Sequence, residues 1–556
     1  EDKMDYHKLA ELIFPQINGT ISELEERYPK RNLPEGAFVT RFAPSPTGFM
    51  HIGGLYAAMI SSKLARQTGG VFYLRIEDTD KKRELEGGVN EIIQSLKGYH
   101  IIFDEGPFLG GEKNYGPYKQ SERKNIYQIC VKELMKAGYA YPCFCTTEEL
   151  NAIRQEQENK KVDIGYYGKY ASCRKLTYEE IEEKVKNKIP FVVRLKSPGD
   201  YNKHVTYCDP IRGSIQMPEN FMDLVLLKSD GIPTYHFAHV IDDHFMRTSL
   251  VVRGDEWMAS YPIHKQMFDL CGFDAPNFLH ISPIMKMEGS TKRKLSKRKD
   301  PEAAVSYYLE QGFPVESVKE YLLTIANSNY EEWHALNPNL TGEDFVLSLS
   351  KMPISGALFD MDKLMNVSRE MISGFSIDFC EQQILSWAEK YEPDLYQFAI
   401  AHEKQFRETI GLWKMSGKKV RKDIAKWSEL MQMFDYLYKP EEKFEQTVTY
   451  EIDEKYTKEQ MKEAIEEYKK NLFLDSQQWF EEIKVLGEQM GYCPNIKDYK
   501  KHPQDFKGSI SDLCTIVRVA VTGHKNSPDL YTVMKVIGEQ NVQRRLDHFL
   551  KKLFSL

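Results

Sequence analysis

A loop that carries glycines and one histidine connects a short β-rich segment to a helical segment near the start of the chain. Residues 44–54 read Pro-Ser-Pro-Thr-Gly-Phe-Met-His-Ile-Gly-Gly and include His51, Gly53 and Gly54. Glycine lets a phosphate approach the backbone, and the unpaired amide groups at a helix start attract negative charge, to which a histidine can also donate. The loop therefore predicts a phosphate-binding site, although a tight structural turn with an incidental histidine would show the same residues.

A second cationic segment lies far downstream. Residues 292–299 read Lys-Arg-Lys-Leu-Ser-Lys-Arg-Lys, with six basic side chains, and Gly289 precedes them. A mobile segment of this kind can close over a triphosphate through Lys294, Ser296 and Lys297. Taken alone, such a run is more typical of a solvated face or an RNA-binding patch than of a nucleotide site. Its combination with the first loop is what favours a nucleotide site.

Cysteines form the third group of residues with chemistry. The chain has nine, an odd number in so long a chain, which argues against a disulfide framework and for reduced thiols. Cys143, Cys145 and Cys173 lie close enough in sequence to share a zinc ion, which takes four ligands in a structural site. The alternative, three ordinary buried thiols, stays open.

The two cationic loops need a framework that brings them together, and the surrounding sequence predicts one. Residues 38–42 favour a strand, 55–66 have helical spacing and 71–76 favour a second strand, which together make a βαβ unit of the nucleotide-binding kind. The continuous apolar runs 223–228 and 249–253 predict further buried parallel strands. The fold class is therefore predicted as multidomain α/β, with a Rossmann-type parallel sheet that is split by an α/β insertion and followed by an all-α C-terminal region.

The predicted domain organisation follows from these elements. The boundaries are 1–36 for an N-terminal helical extension, 37–116 and 223–275 for the Rossmann-type catalytic domain, 117–222 for the insertion, 276–365 for a domain with the Lys-Leu-Ser-Lys-Arg loop, and 366–556 for the helical region.

Composition agrees with an enzyme that works in water. A chain of 556 residues is too long for one core, and no apolar run or N-terminal signal indicates a membrane span or secretion, so we expect a cytoplasmic protein. The net charge of -7 disfavours non-specific binding to polyanions, so any RNA-binding surface must be local. A monomer is expected.

The two loops resemble the paired signatures of class I aminoacyl-tRNA synthetases. Residues 51–54 are similar to the first signature, and residues 294–298 to the second, the lysine-serine-lysine loop. Further segments resemble the bacterial glutamyl-tRNA synthetases; they are 41–48 (Arg-Phe-Ala-Pro-Ser-Pro-Thr-Gly), 74–80 (Leu-Arg-Ile-Glu-Asp-Thr-Asp), 116–123 (Gly-Pro-Tyr-Lys-Gln-Ser-Glu-Arg) and 227–238 (Leu-Lys-Ser-Asp-Gly-Ile-Pro-Thr-Tyr-His-Phe-Ala). The resemblance implies an enzyme that activates L-glutamate with ATP and transfers it to the 3'-terminal adenosine of tRNA(Glu).

The resemblance also assigns residues to the amino acid. Arg41 and Tyr235 are implied to bind the side-chain carboxylate, and His239 stands nearby where the family commonly has asparagine. Arg253 is implied to bind the α-carboxylate, and Glu77 with Ser45 the ammonium group. An arginine discriminates against glutamine, because glutamine would leave a guanidinium donor unpaired, and each unpaired buried donor costs about 1 to 3 kcal/mol of binding free energy. A structural ion pair is the alternative role for each arginine.

ATP contacts follow in the same way. They are His51, Gly53, Gly54, Glu256, Lys294, Ser296 and Lys297, with Mg²⁺ on the phosphates. In the reaction the α-carboxylate attacks the α-phosphorus while pyrophosphate departs, which requires positioning and charge stabilisation but no protein nucleophile. His51, Lys294 and Lys297 are the predicted catalytic residues, because they can stabilise the phosphate charge.

Contacts to tRNA and to zinc are also implied. The insertion (117–222) and the domain at 276–365 would bind the acceptor stem. The helical region would read the anticodon through Arg518, Ser527 and Leu530, and the alternative is that these residues form only a surface helix and turn. By analogy with a related enzyme, Tyr170 would be the fourth ligand of a Cys143, Cys145 and Cys173 zinc site.

Two rival functions remain open at this point. A glutaminyl-tRNA synthetase would have a β-rich C-terminal part, whereas this one has helical periodicity. A non-catalytic tRNA-binding paralogue would lose His51 or the loop from Lys294 to Lys297, and both are intact. Whether tRNA(Gln) is charged in addition to tRNA(Glu) is not decided by the sequence.

Overall fold

The computed structural model of the chain describes residues 3–46, 49–80, 86–107, 115–472 and 478–555, so Thr47 and Gly48 of the first loop lie outside the described residues. The chain divides into two compact units: Glu1–Val305 with Leu322–Phe359, and Ser306–Tyr321 with Asp360–Leu556. In the described ranges, no helix has both the length and the apolar character that a membrane crossing requires.

The first unit is α/β. Up to residue 304 its helices are α1 (Tyr6–Ile13), α2 (Ile21–Arg27), α3 (Ile52–Gln67), α4 (Gly88–Gly98), α5 (Lys124–Lys136), α6 (Thr147–Lys160), α7 (Tyr178–Lys186), α8 (Tyr235–Phe245) and α9 (Tyr261–Leu270). Its strands are β1 (Val39–Phe42), β2 (Val71–Leu74), β3 (Ala140–Cys143), β4 (Val192–Leu195), β5 (His204–Asp209), β6 (Gly213–Pro218), β7 (Val225–Leu227), β8 (Leu250–Gly254), β9 (Asn277–Ile281), β10 (Ile284–Glu288), β11 (Thr291–Lys294) and β12 (Ala357–Leu358).

Parallel strands form the centre of this unit. β1 pairs with β2 and β8 pairs with β9, both in parallel. β1 also adjoins β8, because the Ser249 amide donates to the Val39 carbonyl at 3.0 Å. Helix α3 links β1 to β2 and buries Leu55, Met59 and Ile60. The predicted βαβ unit and Rossmann-type sheet are confirmed, and their shared carboxyl edge is where such folds bind ligands.

The predicted parallel strand at 223–228 is wrong. Val225–Leu227 forms β7, which pairs antiparallel with β4 in the sheet β3-β4-β7 of the insertion. Asp223 fixes this arrangement, because its carboxylate accepts from the Tyr141 hydroxyl at 2.5 Å and its carbonyl from Arg194 at 2.9 Å. An apolar run predicts a buried strand but does not give its direction.

The N-terminal helices predicted from the sequence are present and share the core of the first unit. Leu9, Ala10 and Phe14 are buried in the same cluster as α5. Lys132 of α5 donates to the carbonyls of Phe14 at 2.9 Å and Ile17 at 2.6 Å.

The second unit is built almost entirely of helices, as predicted. From Val305 the helices are α10 (Val305–Gln311), α11 (Val315–Ala326), α12 (Tyr330–Leu336), α13 (Met361–Gly374), α14 (Ile377–Tyr391), α15 (Pro393–Ala401), α16 (Glu403–Lys414), α17 (Glu429–Met433), α18 (Asp435–Tyr438), α19 (Glu441–Thr447), α20 (Lys458–Lys470), α21 (Trp479–Met490), α22 (Ile496–Lys501), α23 (Ile510–Thr522), α24 (Leu530–Ile537) and α25 (Glu539–Phe554). Of these, α12 and the end of α11 after Tyr321 belong to the first unit. The short strands here are β13 (Met415–Ser416), β14 (Lys419–Val420), β15 (Tyr492–Cys493) and β16 (Gly508–Ser509).

Candidate active site

His51 is the N-cap of α3, and both of its ring nitrogens are engaged. Nδ1 accepts the Gly53 amide proton at 2.9 Å, and Nε2 lies 3.2 Å from the carbonyl oxygen of Leu295. Because Nδ1 accepts, Nε2 carries the proton of the neutral ring. Burial lowers the pKa of His51, and the charge of Lys297 lowers it further, although the hydrogen bond to Leu295 raises it. The ring is therefore a neutral donor that faces the second cationic loop.

The second loop follows the β10–β11 hairpin and is held by a buried acid. Asp300 accepts from the two terminal nitrogens of Arg293 at 2.7 and 2.8 Å and from the Ser296 amide at 2.8 Å. Arg293 holds the pKa of Asp300 well below its usual range. Lys297 is exposed, and its Nζ lies 4.2 Å from the centroid of the Phe49 ring, a residue of the first loop. The sequence did not indicate the role of Asp300.

A cavity of about 410 Å³ lies between the two loops, within the size range of small-molecule sites. Its lining includes the predicted ATP contacts His51, Gly53, Gly54, Glu256 and Lys294. Tyr56 also lines it, and its buried hydroxyl has no hydrogen-bond partner in the described ranges. The structure thus brings both loops to one cavity.

Arg41 reaches the carboxyl edge of the sheet already paired with an acid. Its Nε and Nη2 donate to the two carboxylate oxygens of Asp243, each at 3.1 Å. Arg75 donates to the same carboxylate at 2.8 Å. Burial alone would raise the pKa of Asp243, but the charges of Arg41 and Arg75 hold it well below the usual value. No pattern in the sequence pointed to Asp243, which lies 202 residues from Arg41.

His239 belongs to the same buried network. Its Nδ1 lies 2.6 Å from Asp243 Oδ2 and 3.0 Å from Arg41 Nη2. Burial lowers the pKa of His239 to about 3, so the ring is neutral and Nδ1 donates to the acid. Its Nε2 is buried without a partner among the described residues. A contact of His239 with a substrate stays a prediction.

Glu77, Ser45 and Tyr235 lie around this network. The Glu77 amide donates to the Pro44 carbonyl at 3.0 Å, which places exposed Ser45 beside Glu77. Burial raises the pKa of Glu77, while the Arg75 charge lowers it. Burial, and then the charge of Glu77, raises the pKa of Tyr235 to about 12. The Tyr235 ring stacks on Trp257 at 4.6 Å, a contact that the sequence did not reveal.

Arg253 is the second arginine of the predicted amino-acid pocket. It lies near the carboxyl end of β8, is 6% exposed and makes its hydrogen bonds to the imidazoles of His264 and His280. Its Nη2 is buried and has no partner in the part of the chain that the structure describes. Gly254 follows, and a side chain there would displace the exposed Glu256 carboxylate, because a Cβ would lie 2.1 Å from Glu256 Oε2.

The three predicted zinc ligands of the insertion do come together. The sulfur atoms of Cys143, Cys145 and Cys173 all lie within 4.8 Å of one another. The Tyr166 hydroxyl lies 3.3 Å from Cys145 Sγ and accepts from the Cys173 amide at 3.0 Å, and the Ser172 hydroxyl lies 3.6 Å from the same sulfur atom. The predicted fourth ligand, Tyr170, packs edge-on against a neighbouring tyrosine ring instead. A hydrogen bond from Cys173 lowers the pKa of the Cys143 thiol.

The predicted anticodon contacts lie in the second unit. Arg518 is half-buried on α23, and its Nε donates to the Ser527 hydroxyl at 3.0 Å. Leu530, at the start of α24, is 3% exposed and belongs to the helical core. The structure thus joins Arg518 to Ser527, and the contact of Leu530 with a base stays a prediction.

Comparisons with known proteins agree with this geometry. Residues 37–364 match the family described as tRNA synthetases class I (E and Q), catalytic domain, and residues 401–550 match the anticodon binding domain family. The chain is 47% identical over 554 residues to a glutamate–tRNA ligase of Clostridium beijerinckii, covering 98% of this chain and 100% of the relative. It is 45% identical over 551 residues to a glutamate–tRNA ligase of Acetivibrio thermocellus, with the same coverage.

Solved structures include a similar protein as well. The crystal structure of a glutamate tRNA ligase from Elizabethkingia meningosepticum in complex with its amino acid superposes with a TM-score of 0.73 at 28% identity, covering 93% of this chain and 99% of that one.

Proposed function

We propose that this chain, which belongs to the class I tRNA synthetases for glutamate and glutamine, is a glutamate–tRNA ligase. The observation that carries the proposal is the meeting of the two loops at one cavity, where His51 Nε2 lies 3.2 Å from the Leu295 carbonyl. Full-length identity to glutamate–tRNA ligases selects glutamate over glutamine.

The first step is formation of glutamyl-adenylate. An oxygen of the glutamate α-carboxylate bonds to the α-phosphorus of ATP, and the bond from that phosphorus to the bridging oxygen breaks to release pyrophosphate. Charge accumulates on phosphate oxygens, and preorganised donors stabilise it in a water-poor site. The ammonium groups of Lys294 and Lys297 would supply such donors, as would His51 once its Nε2–H exchanges the Leu295 carbonyl for a phosphate oxygen.

Mg²⁺ would neutralise the phosphate charge when bound with ATP. Among the described residues that line the cavity, only Glu256 carries a carboxylate. This fits a metal that takes its ligands mainly from phosphates and water, as Mg²⁺ does in nucleotide sites.

The amino acid would bind between the two arginines of the sheet edge. Two nitrogens of Arg41 are committed to Asp243, so the side-chain carboxylate would meet the remaining Nη1, together with the Tyr235 hydroxyl. Arg253 would bind the α-carboxylate, and Glu77 with Ser45 the ammonium group. A glutamine amide would offer Arg41 Nη1 and the Tyr235 hydroxyl one neutral acceptor oxygen in place of two charged ones, at a cost of about 1 to 3 kcal/mol.

In the second step glutamate passes to the terminal ribose of tRNA. The 2'-hydroxyl oxygen bonds to the glutamyl carbonyl carbon, and AMP leaves with the former mixed-anhydride oxygen. Arg518 and Ser527 of the second unit would contact an unpaired anticodon base, because unstacked bases are read by such groups. We propose tRNA(Glu) as the substrate, and charging of tRNA(Gln) is the open question.

Zinc in the insertion is part of the proposal, with a changed ligand set. Three converging sulfur atoms suit tetrahedral zinc. Tyr166 supplies the fourth donor atom of this cluster, in place of Tyr170.

ATP–pyrophosphate exchange dependent on glutamate, measured with and without tRNA(Glu), tests the proposed function. We expect exchange with glutamate, requiring tRNA, and none with glutamine. Absence of exchange under both conditions would favour a non-catalytic tRNA-binding protein. Charging of purified tRNA(Glu) and tRNA(Gln) transcripts then decides the tRNA specificity, and light scattering tests the expected monomer.

A further inference from the structure

Arg253 is a buried arginine whose hydrogen bonds go to histidine and not to an acid. Its Nη1 lies 2.8 Å from His264 Nδ1, and its Nε donates to His280 Nε2 at 3.0 Å. Among the residues that the structure describes, no carboxylate forms an ion pair with it, and its Nη2 is left without a partner. An uncompensated buried guanidinium is costly, because the charge loses water without gaining an anion.

Arg41 shows the opposite arrangement at the same sheet edge. Asp243 accepts from two of its nitrogens, and both groups are buried. Arg41 therefore has a carboxylate partner, whereas Arg253 has none among the described residues.

Proton positions in the histidine cluster follow from the hydrogen bonds. A guanidinium only donates, so both imidazoles must accept from Arg253 and must be neutral. His264 Nε2–H then donates to His236 Nδ1 at 2.8 Å. His280 Nδ1–H donates to the Tyr207 hydroxyl at 2.9 Å and lies 3.4 Å from Asp209 Oδ2. The Tyr207 hydroxyl in turn lies 2.7 Å from Asp209 and also contacts the Phe278 carbonyl. In each ring, the nitrogen that does not contact Arg253 carries the proton, and its hydrogen bond to His236 or Tyr207 fixes the tautomer.

Burial supports the neutral state of both rings. It lowers the pKa of His264 well below the usual value, and the charge of Arg253 lowers it further. It also lowers the pKa of His280, although the hydrogen bond to Asp209 raises it.

We infer that His264 and His280 are positioning residues that orient Arg253 through neutral acceptors, so that its full charge and its Nη2 stay available for the α-carboxylate of the amino acid. The inference rests on the proposed function of Arg253. A carboxylate at either histidine position would fix the guanidinium equally well, but it would compete with the substrate for the charge. Neutral imidazoles hold the side chain in place without that competition.

An isosteric pair of variants separates charge from packing at position 264. In His264→Asn the amide oxygen replaces Nδ1 as a neutral acceptor, and in His264→Asp a carboxylate of the same size takes that place. We expect KM for glutamate to be about tenfold or more higher in His264→Asp than in His264→Asn, with KM for ATP equal within about twofold, because only the substrate carboxylate competes with the new anion. His280→Gln and His280→Glu, measured alongside, make the same comparison at Nε2.

Equal KM values for glutamate in both pairs would overturn the inference. So would a parallel rise of both KM values with a lower melting temperature in each acidic variant, since that indicates a structural role. If the unaltered chain fails to exchange with glutamate, the proposed function fails. If the unaltered chain is active but the acidic variants have the same KM for glutamate as the matching neutral variants, only the positioning role of the histidines is contradicted.

Discussion

The Nε2 atom of His51 lies 3.2 Å from the carbonyl oxygen of Leu295, a residue 244 positions later in the chain. The bond joins the start of α3, the helix of the βαβ unit, to the segment that carries Lys294 and Lys297. The Nε2 proton thus faces the Leu295 carbonyl, and His51, Lys294 and Leu295 line the same cavity.

Lys297 should act on the chemical step. Lys297→Met removes an ammonium group that would stabilise phosphate charge, and we expect kcat of adenylate formation to fall about a hundredfold. Lys299→Met is the matched control, because Lys299 is an exposed lysine two positions away. Pyrophosphate exchange measures both variants, and equal losses would mean that general positive charge, not the position of Lys297, is what matters.

Asp300 should matter for the geometry of the loop. In Asp300→Asn the Ser296 amide and Arg293 lose a charged acceptor, and we expect kcat/KM for ATP to fall about 10- to 100-fold because the loop is displaced. Glu288→Gln removes the other acid bound to Arg293, at 2.6 Å on the surface, and should change the rate by less than about fivefold. An unchanged kcat/KM for ATP in Asp300→Asn would show that Asp300 does not position the loop.

Zinc content should depend on Tyr166 and not on Tyr170. We expect one zinc ion per chain by elemental analysis, loss of the ion in Cys145→Ser, and weaker retention against a chelator in Tyr166→Phe because one donor atom is missing. Tyr170→Phe is the matched control and should retain zinc normally. Equal retention in both tyrosine variants would exclude Tyr166 as a ligand.

The loop that carries Ser527 should loosen as the pH rises. His524 lies 3.1 Å from Asp435 and 3.2 Å from Glu451, and the bond to Asp435 raises its pKa. A raised folded pKa gives a contribution to stability that is complete below the unfolded value of about 6.5 and is lost as the pH rises through the folded value.

Hydrogen exchange can follow this change at one amide. The Lys525 amide donates to Glu451 at 2.8 Å, and its protection factor should fall between neutral and alkaline pH. In His524→Gln the protection should be lower and independent of pH. A protection factor in the unaltered chain that does not change with pH would contradict the role of His524.

The sequence was sufficient for the parts of the site that depend on local spacing. The glycines and His51 lie at a strand-to-helix junction, and the lysines follow a hairpin, so both loops were recognisable from neighbouring residues. The meeting of Cys143, Cys145 and Cys173 was likewise predicted from spacing in the insertion.

Residues that act through long-range contacts were not predictable. Asp243 and His264 look like ordinary helix positions, since nothing beside them in sequence shows that they face Arg41 and Arg253. Tyr166 and Tyr170 are both near Cys173, and only the folded backbone decides which hydroxyl reaches it. The direction of Val225–Leu227 was missed because buried parallel and antiparallel strands can share an apolar run.

A crystal structure of the chain with ATP bound would show whether both loops contact one triphosphate. We predict phosphate oxygens within hydrogen-bond distance of His51 Nε2 and Lys297 Nζ, with the adenosine in the cavity beside Gly53 and Glu256. A triphosphate bound elsewhere, or His51 and Lys297 directed to separate cavities, would contradict the account.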